Sequence, residues 1–366
     1  MRSLTVRSLS VRGFRNLASV DVELGERFNV LAGDNGQGKT NLLESVYVVA
    51  TSRSFRTSRL ADLVMAGGTT ASIRASVIDG ADVREQTIGV RAGLRVVRVD
   101  GQRPVTLAAY AVRTPMVVFH PGAVALVAGG GTERRRLLDR IALYQTPSSM
   151  VDAKEYVQAL RARQRVLESR GDRAADLDGW EDIIVTRGLA VTEARAAASE
   201  RVIVAAQQAF SRIGPPGLPL QARYDRASPA SPEVYRQELA RQRARDRSRG
   251  SASTGPHRDE LTLQIGEHRV RGMASQGQQR AVVLALRLAE GEVIADVTGV
   301  RPILLLDDVS SELDRKTTMN LFSRIRENAG QILMTTTRPE VIDAAGLLGG
   351  EERADFLVSC GRITRA

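Results

Sequence analysis

Gly33-Asp34-Asn35-Gly36-Gln37-Gly38-Lys39-Thr40 decides how the chain is read. It fits G-x-x-x-x-G-K-[ST], the phosphate-loop pattern. The residues before it, Phe28 to Ala32, are mostly apolar and predict a buried strand. After it, Leu42, Leu43, Val46, Tyr47 and Val49 recur at spacings that predict a mostly buried helix over 39–50. Strand, glycine loop and helix start is the context the motif needs. Glycines let backbone N–H groups close on phosphates, and the helix N-terminus adds the positive end of its dipole. In that setting Lys39 reaches the β- and γ-phosphates and Thr40 offers its hydroxyl to Mg²⁺.

Two later stretches complete a site of this kind. Ile303-Leu304-Leu305-Leu306-Asp307-Asp308 is an apolar run ending in two carboxylates. A fully buried strand that delivers an acid at its carboxyl end is the Walker B arrangement. Asp307 is expected to hold the Mg²⁺ shell, and Asp308 to orient or deprotonate the attacking water. Ser275-Gln276-Gly277-Gln278-Gln279-Arg280 precedes an apolar helix, Ala281 to Ala289. A serine and a glycine at a helix start form a second phosphate cradle, or else a plain N-cap with a glutamine-rich first turn. One triphosphate needs one cradle in one chain, so the second is expected to cap a γ-phosphate held by another copy.

Bulk properties agree with a phosphate-rich partner. The chain has 366 residues, enough for two or three compact units, and its 43% hydrophobic and 26% charged content is ordinary for a globular protein. The net charge of +10 favours a polyanion, although the bias to arginine is also what a GC-rich genome produces. Lys39, Lys154 and Lys316 are the only lysines. Cys360 is the sole cysteine, which excludes a disulfide framework and a cysteine zinc site. His120, His257 and His268 are too scattered for a metal cluster. Met1 to Arg7 alternates instead of forming a signal-peptide core, and no run approaches the ~18 apolar residues of a membrane span. The expectation is a cytosolic protein.

Around the motifs, the first third predicts strands. Leu4, Val6, Leu9 and Val11 roughly alternate, as do Val20, Val22 and Leu24, then Ile73, Ala75 and Val77, then Ile88 with Val90, then Val97 with Val99. Asp100-Gly101 predicts a hairpin turn. Arg15, Arg53 and Arg56 lie in turn-like segments, where they either contact nucleotide or DNA or are solvated loop arginines. After His120-Pro121 the chain becomes helical, with a break around Gly171 to Gly179 and an end at Gly214-Pro215-Pro216-Gly217. These helices read as too short and irregular for a sustained coiled coil. Residues 241–250 carry five arginines against Asp246, spaced all round a helix; this is a solvated basic segment or a DNA-phosphate contact.

Phosphate loop, signature-like helix start and Asp-Asp strand, in that order, resemble the ABC-type ATPases. Within them the chain resembles the RecF family, which is related to the ATPase heads of SMC proteins. The likeness includes Gly13-Phe14-Arg15-Asn16, Gly33 to Thr40 with Asn41, Arg53-Ser54-Phe55-Arg56-Thr57, Gly255-Pro256-His257-Arg258-Asp259, Ser275 to Arg280 and Asp307 to Asp314. It extends to Phe356-Leu357-Val358 and Gly361-Arg362-Ile363 at the carboxyl end. Where transporter ATPases carry a switch histidine this chain has Thr335-Thr336-Thr337, and Asp308 replaces the usual glutamate. Glu260 stands where the family tends to carry a second aspartate.

The resemblance implies an α/β fold: an ABC-type head with a mixed-sheet phosphate-loop lobe, residues 1–118 with 296–366, and a helical lobe, 119–295, without a long coiled coil. It implies ATP and Mg²⁺ as cofactors. Gly33, Asp34, Asn35, Gly36, Gln37, Gly38, Lys39, Thr40 and Asn41 would bind nucleotide. Ser275, Gln276, Gly277 and Gln278 would do so across an ATP-bound homodimer, and Ser311 to Asp314 would form the D-loop. Lys39, Asp307 and Asp308 would be catalytic, with Thr40 and Asp307 on the metal. The implied activity is a slow, DNA-stimulated ATPase whose dimer clamps duplex DNA near single-strand gaps. It would help load the RecA recombinase, with RecR as a direct partner and RecO in the same pathway. Two other classes fit the motifs less well. A transporter ATPase subunit conflicts with the threonines, the Gly255–Asp259 stretch and the basic charge. The ATPase head of a double-strand-break nuclease complex lacks here its coiled coil.

Overall fold

The computed structural model describes residues 1–308, 325, 330–344 and 353–366. The Ser311 to Asp314 segment and Lys316 lie outside the described residues. Two compact units divide the chain: 1–124 with 212–214 and 283–366, and 125–211 with 215–282.

The first unit is built on two sheets. One has the strand order Arg362–Arg365, Arg353–Ser359, Phe28–Ala32, Ile332–Thr336, Ile303–Leu306, Met116–Phe119. All its pairings are parallel except that of the last hairpin, Arg353–Ser359 with Arg362–Arg365. Apolar runs mark strands covered on both faces: central Ile303–Leu306 and the edge strand Met116–Phe119 are buried throughout. The other sheet joins Arg2–Phe14, Thr70–Asp79, Asp82–Arg91 and Leu94–Val99 in antiparallel succession, with Leu17–Glu23 and Val300–Arg301 also on the first strand. Its alternating burial follows from having one covered face.

Between these strand sets runs the Lys39–Thr51 helix, touching strands of both, with every residue except Thr40 and Asn41 buried. Gln331 fastens the unit further: its buried carboxamide bonds both backbone groups of Val6, at 2.8 and 2.9 Å, and Gly25 O at 2.8 Å. At Asp100-Gly101 the expected turn forms, with both residues at positive φ and Val99 bonded to Gln102 in both directions. The pairing stops there as a single bridge, since the chain reaches Pro104 two residues on.

The second unit is mainly helical and carries a small antiparallel sheet of Leu220–Asp225, Glu260–Ile265 and His268–Arg269. Its longest helix, Leu177–Ile213, has 37 residues, longer than the sequence predicts. The expected break lies before it, and Gly179 is inside the helix. Gly188, also inside it, leaves room for the rings of Tyr156 and Tyr235, which a Cβ there would meet at 3.1 and 3.2 Å. Helix interiors tolerate such a glycine when packing offsets its cost of about 1 kcal/mol.

Gly255-Pro256-His257-Arg258-Asp259 is an internal joint of this unit. A Cβ on Gly255, at φ 135°, would run into both tyrosine hydroxyls. His257 Nδ1 meets Tyr156 OH at 2.6 Å, and Nε2 meets Ala252 O at 2.9 Å. Burial lowers the His257 pKa, so the ring is neutral at pH 7. Asp259 is fully buried and bonded to Tyr224 OH, Arg195 and Ala227 N. Glu260 grips Arg134 with both oxygens, at 2.6 and 3.0 Å.

Candidate functional site

The parallel strands deliver their carboxyl ends to one edge of the first sheet. Register sets Ala32 opposite Thr336 and Leu306 opposite both Met334 and Phe119. Open parallel sheets bind ligands at that edge. The Gly33–Thr40 loop leaves it and enters the buried helix.

Thr40 Oγ1 lies 2.7 Å from Asp307 Oδ1 and donates to it, bringing together residues 267 positions apart. Lys39 Nζ donates to Gly33 O and Asp34 O at 2.5 and 2.8 Å, folded back along its own loop. Burial lowers the Lys39 pKa, and the carboxylates of Asp308, Asp307 and Asp34 oppose that shift. Burial raises the pKa of Asp307, offset by the hydroxyls of Thr40 and Thr335. The edge is therefore a partly dehydrated cluster of one ammonium and several carboxylates, where added charge is felt strongly.

Thr335 is the residue whose part the sequence did not reveal. Its hydroxyl donates to Asp307 Oδ1 at 2.9 Å and accepts from Asp308 N–H at 2.8 Å. It thus ties both acidic residues to the neighbouring strand. Asp308 sits at φ 51°, a left-handed conformation that aspartate tolerates better than most residues. Two buried threonines closing an otherwise apolar strand, Ile332–Thr336, were the available signal. His120, directly after the Met116–Phe119 strand, is also at this edge and packs against Phe55, centroids 5.1 Å apart.

The arginines of the flanking turns are engaged with protein. Arg15 holds Glu44 with two bonds of 2.9 and 3.0 Å, and Arg56 bonds Glu44 at 3.1 Å and Asn41 Oδ1 at 2.6 Å. Glu44 is fully buried, and Ser54 completes its shell. Asn41 also donates to Asn16 Oδ1 at 2.7 Å, so its side chain is part of this network.

In the second unit Ser275 and Gln278 form a capping box. Gln278 N–H donates to Ser275 Oγ at 3.2 Å, and Ser275 N–H to Gln278 Oε1 at 2.9 Å. Gln276 opens the helix behind it, and Gly277 has nothing within 4 Å of its Cβ position. Arginines 241–249 divide: Arg241 pairs with Glu238 and Arg243 with Glu181 and Asp178, while Asp246 turns inward to the buried Arg163.

The family model described as RecF/RecN/SMC N terminal domain matches residues 5–352. A DNA replication and repair protein RecF from Anaeromyxobacter sp. (strain Fw109-5) is 39% identical, covering 98% of each chain. One from Geobacter sp. (strain M21) is 34% identical over 97% of this chain and 98% of its own. Among solved structures, the recombination mediator protein RecF-ATP of the RecFOR pathway superposes with a TM-score of 0.87 at 24% identity, covering 100% of this chain and 98% of that one. An Smc head domain from Pyrococcus furiosus, bound to the C-terminal domain of ScpA, gives 0.56 at 17% identity, with 99% and 96% covered.

Proposed function

The chain belongs to the RecF family, within the RecF/RecN/SMC group of ATPases, and from that premise we propose that it is an ATP-dependent DNA-binding protein of recombinational gap repair and replication restart. The observation that carries this reading is the Thr40–Asp307 hydrogen bond, which joins the phosphate loop to the acidic strand end. Two hard oxygen donors side by side suit Mg²⁺, and Lys39 with the loop N–H groups suits a triphosphate. Thr40 and Asp307 would hold the metal, which when bound neutralises phosphate charge. Asp308, its backbone held by Thr335, would orient the attacking water.

ATP would join two copies, Ser275 and Gly277 of each capping the nucleotide of the other. The dimer would clamp duplex DNA through its phosphates, without reading sequence. Hydrolysis would be slow and stimulated by DNA, and it would release the clamp by shifting the population of dimers. Loading of RecA at gaps, with RecR as direct partner and RecO in the pathway, completes the proposal. The 39% identity to a DNA replication and repair protein RecF, over 98% of each chain, favours this over a transporter subunit.

The test is molecular mass by light scattering, with and without ATP, for wild type and Ser275→Arg. Conversion of wild type to a dimer by ATP, with the variant remaining monomeric, is expected. A wild type that binds ATP and stays monomeric refutes the clamp.

A further inference from the structure

We propose that the Phe14–Leu17 turn and the carboxyl-terminal hairpin form a back wall that holds the phosphate loop in its anion-binding shape, with Asn16 and Gln37 as positioning residues, and that nucleotide binding is felt at Cys360. The inference rests on the ATP-binding reading of the loop and adds to it a structural device that the motif does not contain.

Two loop carbonyls are anchored from behind. Gly36 O accepts from Asn16 Nδ2 at 3.4 Å, and Gln37 O accepts from Gly361 N–H at 2.8 Å. Every described peptide is trans, so each carbonyl points opposite to the N–H of the residue that follows. Anchoring the carbonyls of Gly36 and Gln37 therefore turns the N–H groups of Gln37 and Gly38 away from the wall. Those N–H groups are what an anion needs, and a carbonyl flipped forward in their place would repel it.

The wall is one continuous surface. A Cβ on Gly361, at φ 72°, would run into Asn16 O, so the hairpin turn and the Asn16 turn are in contact. A Cβ on Gly33 would run into Val358 O, so the hairpin also lies against the loop's first residue. Gln37 is fastened twice to the same turn, because its side-chain Oε1 accepts from Cys360 N–H at 2.6 Å. Asn16 in turn accepts from Asn41, tying the wall to the first turn of the following helix. Cys360, at φ 46°, is exposed and is the chain's only thiol. Coupling between two sites is reciprocal: if the wall favours nucleotide, nucleotide must tighten the wall.

The thiol makes this measurable in the unmodified protein. Labelling of Cys360 by a chromogenic disulfide is followed while ATP is titrated, and the affinity is measured separately with a fluorescent ATP analogue. Wild-type labelling should slow by about fivefold or more, the low end of ordinary coupling factors, with a midpoint equal to the separately measured affinity. Gln37→Met keeps the length of the side chain but removes the acceptor. By reciprocity it should bind ATP about fivefold more weakly, and its labelling should no longer respond to saturating ATP. Unchanged Cys360 labelling while wild type binds the analogue overturns the inference and leaves the ATP-binding reading intact. Wild-type affinity in Gln37→Met overturns it equally. Failure of wild type to bind ATP overturns the reading of the loop, and this inference with it.

Discussion

Thr335→Val is the most discriminating single change at the sheet edge. Valine nearly matches threonine in shape, so a buried strand position loses a hydroxyl and little else. Two bonds go with it: the donation to Asp307 Oδ1 at 2.9 Å, and the acceptance from Asp308 N–H at 2.8 Å. A hydrogen bond to a charged group contributes about 1.5–3 kcal/mol, and stranding a buried N–H costs about 1–3 kcal/mol. Thr40 still holds the same Asp307 oxygen at 2.7 Å, so Asp307 keeps part of its restraint. The combined loss should be about 2–4 kcal/mol, expressed in the placement of the two acids and less in binding of the triphosphate by the loop. With each 1.4 kcal/mol equal to a factor of ten, kcat for ATP should fall by about 30- to 700-fold. Phosphate release in the presence of duplex DNA, beside analogue binding, separates the two effects. Thr335→Ser restores the hydroxyl and should restore most of the rate. A valine variant that turns over ATP like wild type refutes the reasoning. So does a serine variant as slow as the valine one, which would assign the effect to packing.

Two further expectations concern the second unit. Arg163 is fully buried between Glu181 and Asp246, each at 2.8 Å, and also bonds Leu239 O. Arg163→Met should cost about 3 kcal/mol, the lower end for breaking a buried pair, since Arg243 still serves Glu181 and Ser253 still serves Asp246; a urea midpoint unchanged from wild type would contradict it. His257 has a folded-state pKa below its ordinary 6.5, so between the two values the unfolded chain binds more protons. Its contribution is therefore complete above pH 6.5 and is lost as the pH falls below that, so melting temperature should drop between pH 7.5 and 5.5, and His257→Gln should flatten the drop. Equal slopes for the two proteins would show that another group titrates.

What could be read from the sequence was whatever repeats locally. Phe28–Ala32 and Ile303–Leu306 announce themselves because strands covered on both faces are near-continuous apolar runs, broken here only at Asn29, whose buried carboxamide bonds both backbone groups of Gly25. The phosphate loop and Asp307 follow from those strands, and the structure brings them within one hydrogen bond. Contacts between distant segments left no local pattern. Thr335 reads as a missing histidine until the sheet sets it beside Asp307, and Asn16 reads as a turn residue until Gly36 and Asn41 are placed against it. Ala92-Gly93 makes a turn with both residues at positive φ, as Asp100-Gly101 does, but alanine carries none of the aspartate signal. The second of these turns was expected from sequence, and the first was not.

The basic charge shows best why composition must be read through structure. A net +10 counts every guanidinium alike, yet their environments differ sharply. Arg163, Arg134, Arg195 and Arg15 are held by carboxylates inside the protein, where phosphates could displace them only by leaving an acid unpaired. The alternating run at 241–249 is divided in the same way, because Asp246 faces Arg163 and fixes how its short helix sits. Arg245, Arg247 and Arg249 are left exposed on that helix, as are Arg161 and Arg165 on the Ser149–Arg170 helix it packs against, and none of the five forms an ion pair among the described residues. Exposed guanidinium groups without partners are the ones able to release counterions from a nucleic acid, so they and not the total should set the salt dependence of the proposed DNA binding. The proposed contact with a polyanion therefore falls to a smaller set of residues than the net charge of +10 counts.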